Sequence, residues 1–440
     1  MWKFALKPLA LLVPFITVAA MPACASAPQT QGSALPALRI ASAAAATIPV
    51  PRLKPEFVSS ADRQKRFTAW KADFITRATA KGYPLALVRR VIDPVKINER
   101  ALERNKTQPE FTSPIWSYVD KTTSPARLAG GKSALAREAA VFSAVEARYR
   151  VDPHILTAIW GLETSYGRIQ GSHDIPAALA TFAFEGRRTA FGEEQLFAIL
   201  DILRSGAVSR DQLVGSWAGA MGNTQFIPTT FRDYAVDFDG DGRKDLWKSE
   251  ADALGSAANY LSRSGWEYGA PSFAEVTLPA GFNYALADGS KRTIGGWDAL
   301  GVKPINGKNW AAVAMKMETK LIIPAGARGP AILTFKNFDV IKRYNNSTSY
   351  ALGIAMLGES LAGRAVLQTP WPKSDKPVAF KDLIRLQKKL TALGYDTQGA
   401  DGIIGPNSRK AIQAWQVDNR LPADGYIERS MFKKIMNSKR

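Results

Sequence analysis

Two stretches of tether-like composition divide this chain of 440 residues and limit what it can fold into. Residues 26–55 are rich in Ala, Ser and Pro, and residues 366–378 form a second, Pro-rich stretch. Such compositions are typical of tethers and linkers rather than of packed cores. Residues 56–365 have a mostly helical apolar pattern, and residues 379–440 follow as a compact unit. The sequence therefore predicts a mainly α protein with one large and one small domain.

Residues 1–25 have the pattern of an export signal. Two lysines precede an apolar run from Leu9 to Met21, and Ala23-Cys24-Ala25 follows as a small-residue cleavage site. The run is too short and too interrupted to predict a membrane-spanning helix. We therefore expect export to the periplasm, with lipid attachment at Cys24 and an outer-membrane anchor as the open alternative.

The residue counts exclude several kinds of catalytic site. One cysteine and two histidines are too few for a Cys/His zinc site, and a single cysteine allows no intramolecular disulfide. A nucleophile elbow around Ser216 would need Gly where Val214 stands. A P-loop ending at Ser133 would need Gly where Ala126 stands.

The formal net charge of +19 predicts a polyanionic partner. Nucleic acid, anionic lipid and an acidic wall polymer all fit that description, and a merely solvated basic surface is the alternative. The positive residues are dispersed through the chain rather than gathered in a long Lys/Arg run. This dispersal argues against nucleic acid.

Glu163 is the first candidate for chemistry because it falls on the apolar face of a predicted helix. Asp152 and Pro153 have the types expected at an N-cap and a first helical position. Four side chains then recur at three- and four-residue steps: Leu156, Ile159, Trp160 and Glu163. Burial among apolar groups raises a carboxyl pKa, so Glu163 could act as a general acid. The alternative is a structural glutamate satisfied by backbone N–H groups or by Arg168.

Two further segments carry side chains suited to sugars. In Gly215–Pro228, small residues dominate up to Gly222, and Ser216 and Gln225 offer short, directional hydrogen bonds. In 344–351, two tyrosines flank a run of Asn, Ser and Thr, so that a ring could stack on a pyranose while an amide binds its hydroxyls. The alternatives are a tightly packed turn for the first segment and a helix start for the second, with Tyr350 in the core.

An acidic loop matches the start of an EF-hand calcium loop. Its candidate ligands are the carboxylates of Asp237, Asp239, Asp241 and Asp245 and the backbone carbonyl of Arg243. Lys248 stands at position 12, where such a loop has Glu, so Glu250 or Asp252 would have to supply the last carboxylate. We predict one structural Ca²⁺, with a solvated acidic turn as the alternative.

Three motifs, in this order and spacing, resemble the B-type family of lytic murein transglycosylases. The family's Trp-Gly-x-Glu-Thr matches Trp160–Thr164, and its Ala-Gly-Ala-Met-Gly-x-x-Gln-Phe-x-Pro matches Ala218–Pro228. Its Tyr-Asn-x-Ser matches Tyr344–Ser347, and Ala258–Tyr260 resembles the segment that supplies a cleft tyrosine. The resemblance covers residues 56–365.

The last 62 residues, 379–440, resemble the three-helix type of peptidoglycan-binding domain. The Asp-Gly-x-x-Gly-Pro-x-Thr motif of that domain is met at Asp401–Ser408, with Ser408 in place of Thr. Its Phe-Gln pair appears as Trp415-Gln416. Both replacements are mild.

The resemblance implies a lysozyme-like, α-rich catalytic domain with a small β element, acting on peptidoglycan glycan strands. It makes Glu163 the only catalytic acid/base, with no cofactor for catalysis. We expect a monomer. The residues that it places in the substrate cleft are Ser216, Gln225, Phe226, Tyr260, Tyr344, Asn345 and Tyr350. A lysozyme-like muramidase and a non-catalytic wall-binding protein are the alternatives.

Overall fold

The structure, a computed structural model, describes residues 60–106, 114–185, 188–364 and 366–439. The predicted export signal, Cys24 and the first tether lie outside these residues. The described part is mainly helical, which confirms the predicted fold class. Within it, no helix has the length and apolar character that crossing a membrane requires.

The helices and strands of the described residues follow in chain order. The helices are α1 (Ser60–Ala80), α2 (Leu85–Ile92), α3 (Glu99–Lys106), α4 (Ile115–Thr122), α5 (Pro125–Arg137), α6 (Ala139–Tyr149), α7 (Pro153–Thr164), α8 (Ile175–Phe184), α9 (Thr189–Arg204), α10 (Pro228–Tyr234), α11 (Glu250–Arg263), α12 (Ile294–Asp298), α13 (Lys336–Tyr344), α14 (Thr348–Leu361), α15 (Phe380–Ala392), α16 (Pro406–Asp418) and α17 (Arg429–Asn437). The strands are β1 (His173–Asp174), β2 (Val214–Gly215), β3 (Phe273–Thr277), β4 (Arg292–Thr293), β5 (Lys303–Pro304), β6 (Glu318–Ile322) and β7 (Ala331–Thr334).

Helices α7 and α14 form the centre of the large domain and pack against each other. Both are apolar on nearly all sides, as expected for helices surrounded by other elements. Close approach depends on small residues: a Cβ on Gly358 of α14 would lie 2.8 Å from Ile155 of α7. A second core gathers aromatic and aliphatic side chains of α1, α2, α8 and α9.

The β structure is larger than the small element expected. Strands β3 to β7 form an antiparallel sheet with the order β4-β6-β7-β3-β5, and its core includes Trp297 and Leu321. Strands β1 and β2 form a separate antiparallel pair in which His173 lies opposite Gly215. This pair brings the Gly215 segment to the start of α8.

The terminal unit contains three helices, α15 to α17, as predicted. Its two turns repeat one arrangement: Gln387 donates to Asp401 at 3.0 Å, and Gln416 donates to Asp424 at 2.9 Å. Asp424 also accepts the backbone N–H of Ala327, at 2.8 Å. The second turn therefore contacts the large domain.

The Pro-rich stretch 366–378 is irregular, but it is not a free tether. The backbone N–H groups of Gln368 and Thr369 donate to the carboxylate of Glu275, the second at 2.8 Å. The rings of Trp116 and Trp371 lie 6.4 Å apart. Despite its tether-like composition, this stretch is therefore held against the large domain by its backbone N–H groups and an aromatic ring.

Candidate active site

Glu163 lies in the last turn of α7. The Asp152 side chain accepts the His154 N–H at 2.7 Å, which confirms the predicted N-cap. Trp160, one turn before Glu163, is fully buried at 0% exposure. The helix ends abruptly, since Ser165 and Tyr166 adopt left-handed backbone angles with φ of 53° and 63°. Consecutive left-handed residues are costly and are concentrated at functional sites.

Glu163 is half-buried, and among the described residues one side chain donates a hydrogen bond to its carboxyl. Tyr350 of α14 donates its hydroxyl to Oε1 at 2.6 Å. Burial raises the pKa of Glu163 from 4.5 to about 7, and the Tyr350 hydrogen bond opposes that rise. Arg168, the expected alternative partner, is exposed and donates to the Ser165 carbonyl at 3.1 Å. Glu163 can therefore both hold and release a proton near neutral pH.

The Gly215–Pro228 segment forms a tight loop braced by its own polar groups. Ser216 Oγ accepts the Ala220 N–H at 3.0 Å. Gln225 has a left-handed φ of 51°, and its side-chain amide donates to the carbonyls of Gln170 and Gly222 at 3.1 and 2.9 Å. Gln225 thus holds the loop through its amide nitrogen, while its half-buried side chain stays available at the surface.

Gly222 shows why this loop needs small residues. Its φ of 69° lies in the left-handed region, and an added Cβ would lie 2.6 Å from the Leu246 carbonyl. Both facts favour glycine, because a side chain would be strained and would collide with backbone. The close approach brings the loop against the end of the acidic loop.

The tyrosines of the predicted cleft meet in one aromatic cluster. The Tyr260 and Tyr344 rings cross edge to face at 5.3 Å, and Phe226 lies 6.0 and 5.9 Å from them. The Tyr260 hydroxyl donates to the Arg343 carbonyl at 2.8 Å. Tyr234, which the sequence did not single out, packs on Tyr260 at 4.8 Å. The cluster fixes two half-buried tyrosines, and of these Tyr344 lies near Glu163: burial, and after it the Glu163 charge, raise the pKa of Tyr344.

Two predicted roles change with burial. Phe226 is 2% exposed, so it supports the tyrosine rings rather than contacting a ligand, which corrects its predicted substrate-binding role. Tyr350 is 3% exposed and acts on Glu163 through its hydroxyl. Tyr350 is both a core residue, as the alternative had it, and part of the site. Asn345 is exposed at the end of α13 and stays a predicted ligand-binding residue.

The acidic loop brings three carboxylates together. Asp237, Asp239 and Asp252 each place an oxygen within 4.8 Å of the others. Two oxygens that coordinate one Ca²⁺ at about 2.4 Å lie at most about 4.8 Å apart, so the cluster fits one ion. Asp252 is fully buried at 0% exposure, and its carboxylate accepts backbone N–H groups, including those of Phe238 and Asp245 at 2.7 Å. Of the two candidates beyond Lys248, Asp252 therefore lies in the cluster and Glu250 does not.

The other predicted metal ligands have different contacts. Asp241 accepts the Arg243 N–H at 2.8 Å, and Asp245 accepts the Trp247 and Lys248 N–H groups, each at 2.9 Å. These carboxylates lie outside the three-residue cluster and stabilise turns of the loop.

Asn223 connects helix α7, which carries Glu163, with the end of the acidic loop, and the sequence did not predict this role. Its Oδ1 accepts the Trp160 indole N–H at 3.0 Å, and its backbone carbonyl accepts the Thr164 hydroxyl at 2.7 Å. Its side-chain amide donates to the carbonyls of Leu246 and Trp247 at 3.1 and 3.2 Å. The position falls on an unspecified residue of the Ala218–Pro228 motif, so no sequence signal distinguishes it.

Comparison with known proteins assigns the two domains. A family profile described as Transglycosylase SLT domain matches residues 66–359. A second profile, for a peptidoglycan binding domain, matches residues 381–435.

Among curated relatives, the chain is 35% identical over 222 residues to membrane-bound lytic murein transglycosylase B of Escherichia coli strain K12. That match covers 49% of this chain and 58% of the relative, so it spans less than two thirds of that protein.

Solved structures of lytic transglycosylases are similar to this one. SltB3 from Pseudomonas aeruginosa, in complex with NAG-anhNAM-pentapeptide, is 43% identical, with a TM-score of 0.81 over 84% of this chain and 99% of that one. The Escherichia coli lytic transglycosylase Slt35, in complex with calcium, is 29% identical, with a TM-score of 0.58 over 66% of this chain and 92% of that one. The matched profiles, the shared motifs and these structures agree with one another. The chain belongs to the lytic transglycosylase family with an SLT domain, and it carries a peptidoglycan-binding domain at its carboxyl end.

Proposed function

We propose that this protein cleaves the β-1,4 bond between MurNAc and GlcNAc in peptidoglycan and leaves 1,6-anhydroMurNAc ends. The observation that carries the proposal is the half-buried Glu163 carboxyl, which accepts the Tyr350 hydroxyl and lies beside Tyr344 of the tyrosine cluster. Burial raises the pKa of this carboxyl to about 7. SltB3, the similar structure, is bound to NAG-anhNAM-pentapeptide, which ends in an anhydro sugar.

Glu163 first acts as an acid. Its proton passes to the glycosidic oxygen, the bond from that oxygen to C1 of MurNAc breaks, and the GlcNAc side leaves with a free hydroxyl. Positive charge develops on the MurNAc ring, and the acetamido group of the substrate is placed to stabilise it. Tyr350 stabilises the carboxylate that remains, because its hydroxyl already donates to Oε1 at 2.6 Å.

Glu163 then acts as a base. The carboxylate takes the proton of the C6 hydroxyl of the same MurNAc, and that oxygen bonds to C1. The ring closes to the anhydro sugar, Glu163 is protonated again, and no water is consumed. One carboxyl suffices for both steps, unlike the two-carboxylate pair of ordinary glycosidases. Burial and Tyr350 shift the pKa of Glu163, and neither involves a second carboxylate.

The test is to digest purified sacculi and weigh the products by mass spectrometry. We expect muropeptides lighter by one water than hydrolysis would release. Glu163→Gln keeps the size and shape of the side chain, so it should still bind wall but lose essentially all cleavage. Products ending in reducing MurNAc would make the protein a muramidase, and equal turnover by Glu163→Gln would remove Glu163 from the mechanism. Absence of any cleavage by the wild type would leave a wall-binding protein.

Asp237, Asp239 and Asp252 are suited to hold one Ca²⁺ in the acidic loop. Three oxygens within 4.8 Å support this assignment, and Slt35 is a relative whose structure contains calcium. The ion would neutralise repelling carboxylates and stabilise the loop. We assign it no part in the cleavage reaction.

We further propose an exported, wall-associated monomer. The pattern of residues 1–25 supports export to the periplasm, and Cys24 leaves an outer-membrane lipid anchor as the second form. The net charge of +19 suits a wall whose stem peptides carry carboxylates. Mass spectrometry of the mature chain tests this: an unmodified start near Ser26 supports the soluble form, and a lipid-bearing Cys24 overturns it.

A further inference from the structure

Asn223 is a buried polar side chain that connects the catalytic helix to a distant loop. It is 2% exposed, so it cannot contact a glycan strand. Its three side-chain hydrogen bonds reach Trp160 on one side and the carbonyls of Leu246 and Trp247 on the other. Its own N–H donates to the Leu246 carbonyl at 2.7 Å. Such fully satisfied buried groups specify one arrangement of the elements they join.

Asn223 forms hydrogen bonds to residues of α7 on both sides of Glu163 in the chain. Trp160 lies one helical turn before Glu163, and Thr164 is the next residue in the chain. The Thr164 hydroxyl donates to the Asn223 carbonyl at 2.7 Å and accepts the Gly167 N–H at 3.0 Å. A Cβ on Gly167 would lie 2.5 Å from Asn223 Oδ1, so the chain passes directly over this amide. The helix end is thus held from both sides of Glu163.

We propose that Asn223 is a positioning residue for Glu163, which holds the end of α7 in place and keeps water away from the carboxyl. The inference rests on the proposed function, since it assigns Glu163 the reaction. Removing the Asn223 side chain leaves the Trp160 N–H without a buried acceptor. The last turn of α7 then loosens and the carboxyl becomes more hydrated, while the substrate contacts stay intact.

The titratable groups around Glu163 determine whether a change in its pKa can be measured in the pH profile of the activity. Tyr350 of α14 and Tyr344 of α13 face the carboxyl, and both stay neutral because burial and Glu163 raise their pKa values. Tyr118 of α4 raises the pKa of Tyr350 further. Arg137 of α5 lies over the Trp160 ring, 5.3 Å from its centre. The pH profile therefore has an alkaline limb, on which activity falls as the pH rises near 7. This limb reports the titration of Glu163.

The test is the pH dependence of kcat/KM for Asn223→Ala on soluble glycan fragments. Better hydration favours the carboxylate, so we expect this limb to move down by about one pH unit. Misplacement of the carboxyl should lower kcat roughly 10- to 100-fold, with KM nearly unchanged. Trp160→Phe removes the same hydrogen bond from the other partner while leaving Asn223 in place. It should move the limb in the same direction.

Asn337→Ala is the matched control. Asn337 is 0% exposed and also makes three side-chain hydrogen bonds, to the Glu267 N–H and to the Glu267 and Ala270 carbonyls. This variant should lower the melting temperature but leave the limb where it is. An unmoved limb in both Asn223→Ala and Trp160→Phe would overturn the proposal, even if both melt early. A wild type that makes no anhydro ends would instead overturn the proposed function.

Discussion

Glu163 should destabilise the folded protein at the pH where it is ionised. Its pKa is raised from 4.5 to about 7, chiefly by burial. At 1.36 kcal/mol for each pKa unit, that displacement corresponds to about 3 kcal/mol between the neutral and the ionised folded states. The contribution of Glu163 to the stability is therefore fully present below pH 4.5, and up to about 3 kcal/mol of it is lost as the pH rises through 7.

Glu163→Gln removes this dependence, because the amide cannot ionise and still accepts the Tyr350 hydroxyl. We expect the two proteins to unfold at similar urea concentrations at pH 4. At pH 8 the variant should be more stable by up to about 3 kcal/mol. Urea titrations of both proteins across this range give the difference, in which the titration of other groups cancels.

Equal or lower stability of Glu163→Gln at pH 8, compared with the wild type, would show that ionised Glu163 does not destabilise the fold. A difference that is large at pH 4 and absent at pH 8 would also contradict this prediction. The expected result links stability to function: the burial that makes Glu163 an acid near neutral pH also costs folding free energy.

Three other predictions follow from single contacts. Tyr350→Phe removes a hydrogen bond to the Glu163 carboxylate that is worth about 1.5–3 kcal/mol. The pH at which kcat/KM falls on the alkaline side should therefore rise by about 1–2 units. Tyr344→Phe is the control and should move this pH little, because the Tyr344 hydroxyl donates to a backbone carbonyl. Calcium should raise the melting temperature, and Asp239→Ala should abolish that rise. Identical melting curves with calcium and with a chelator would show that the loop is an acidic turn without an ion. A chain ending at Pro377 keeps the contacts of the Pro-rich stretch, so it should still cleave soluble fragments but sediment less with sacculi, and equal sedimentation would remove the binding role of the terminal unit.

The local signals of the sequence were sufficient for the helix that carries Glu163. An N-cap side chain, a proline at the first position and three- and four-residue apolar steps act within one helix, and the structure reproduces them at Asp152–Thr164. The terminal unit followed from the same kind of signal. The antiparallel sheet was underestimated because its strands are short, as in Arg292–Thr293 and Lys303–Pro304, and their pairing joins distant segments.

The acidic loop shows what residue spacing predicts and what depends on packing between elements. Spacing alone predicted Asp237 and Asp239 as metal ligands, but it left Glu250 and Asp252 as equal candidates for a further ligand. The start of α11 distinguishes them, since it places Asp252, and not Glu250, in one cluster with Asp237 and Asp239. The role predicted for Phe226 also failed for this reason: a motif says which residue types occur, whereas burial depends on the neighbouring elements.

The sequence by itself determined the two domains and the family, and it singled out Glu163 as the predicted catalytic carboxyl, because motif spacing and helical periodicity are local properties of the chain. Only the tertiary structure decided what surrounds that carboxyl. Tyr350 is 187 residues from Glu163 along the chain, and Asn223 lies 63 residues from the indole that it holds. Such hydrogen bonds form only when α7, α14 and the Gly215–Pro228 loop pack together. The pKa of Glu163 depends on that packing, since burial is its largest cause.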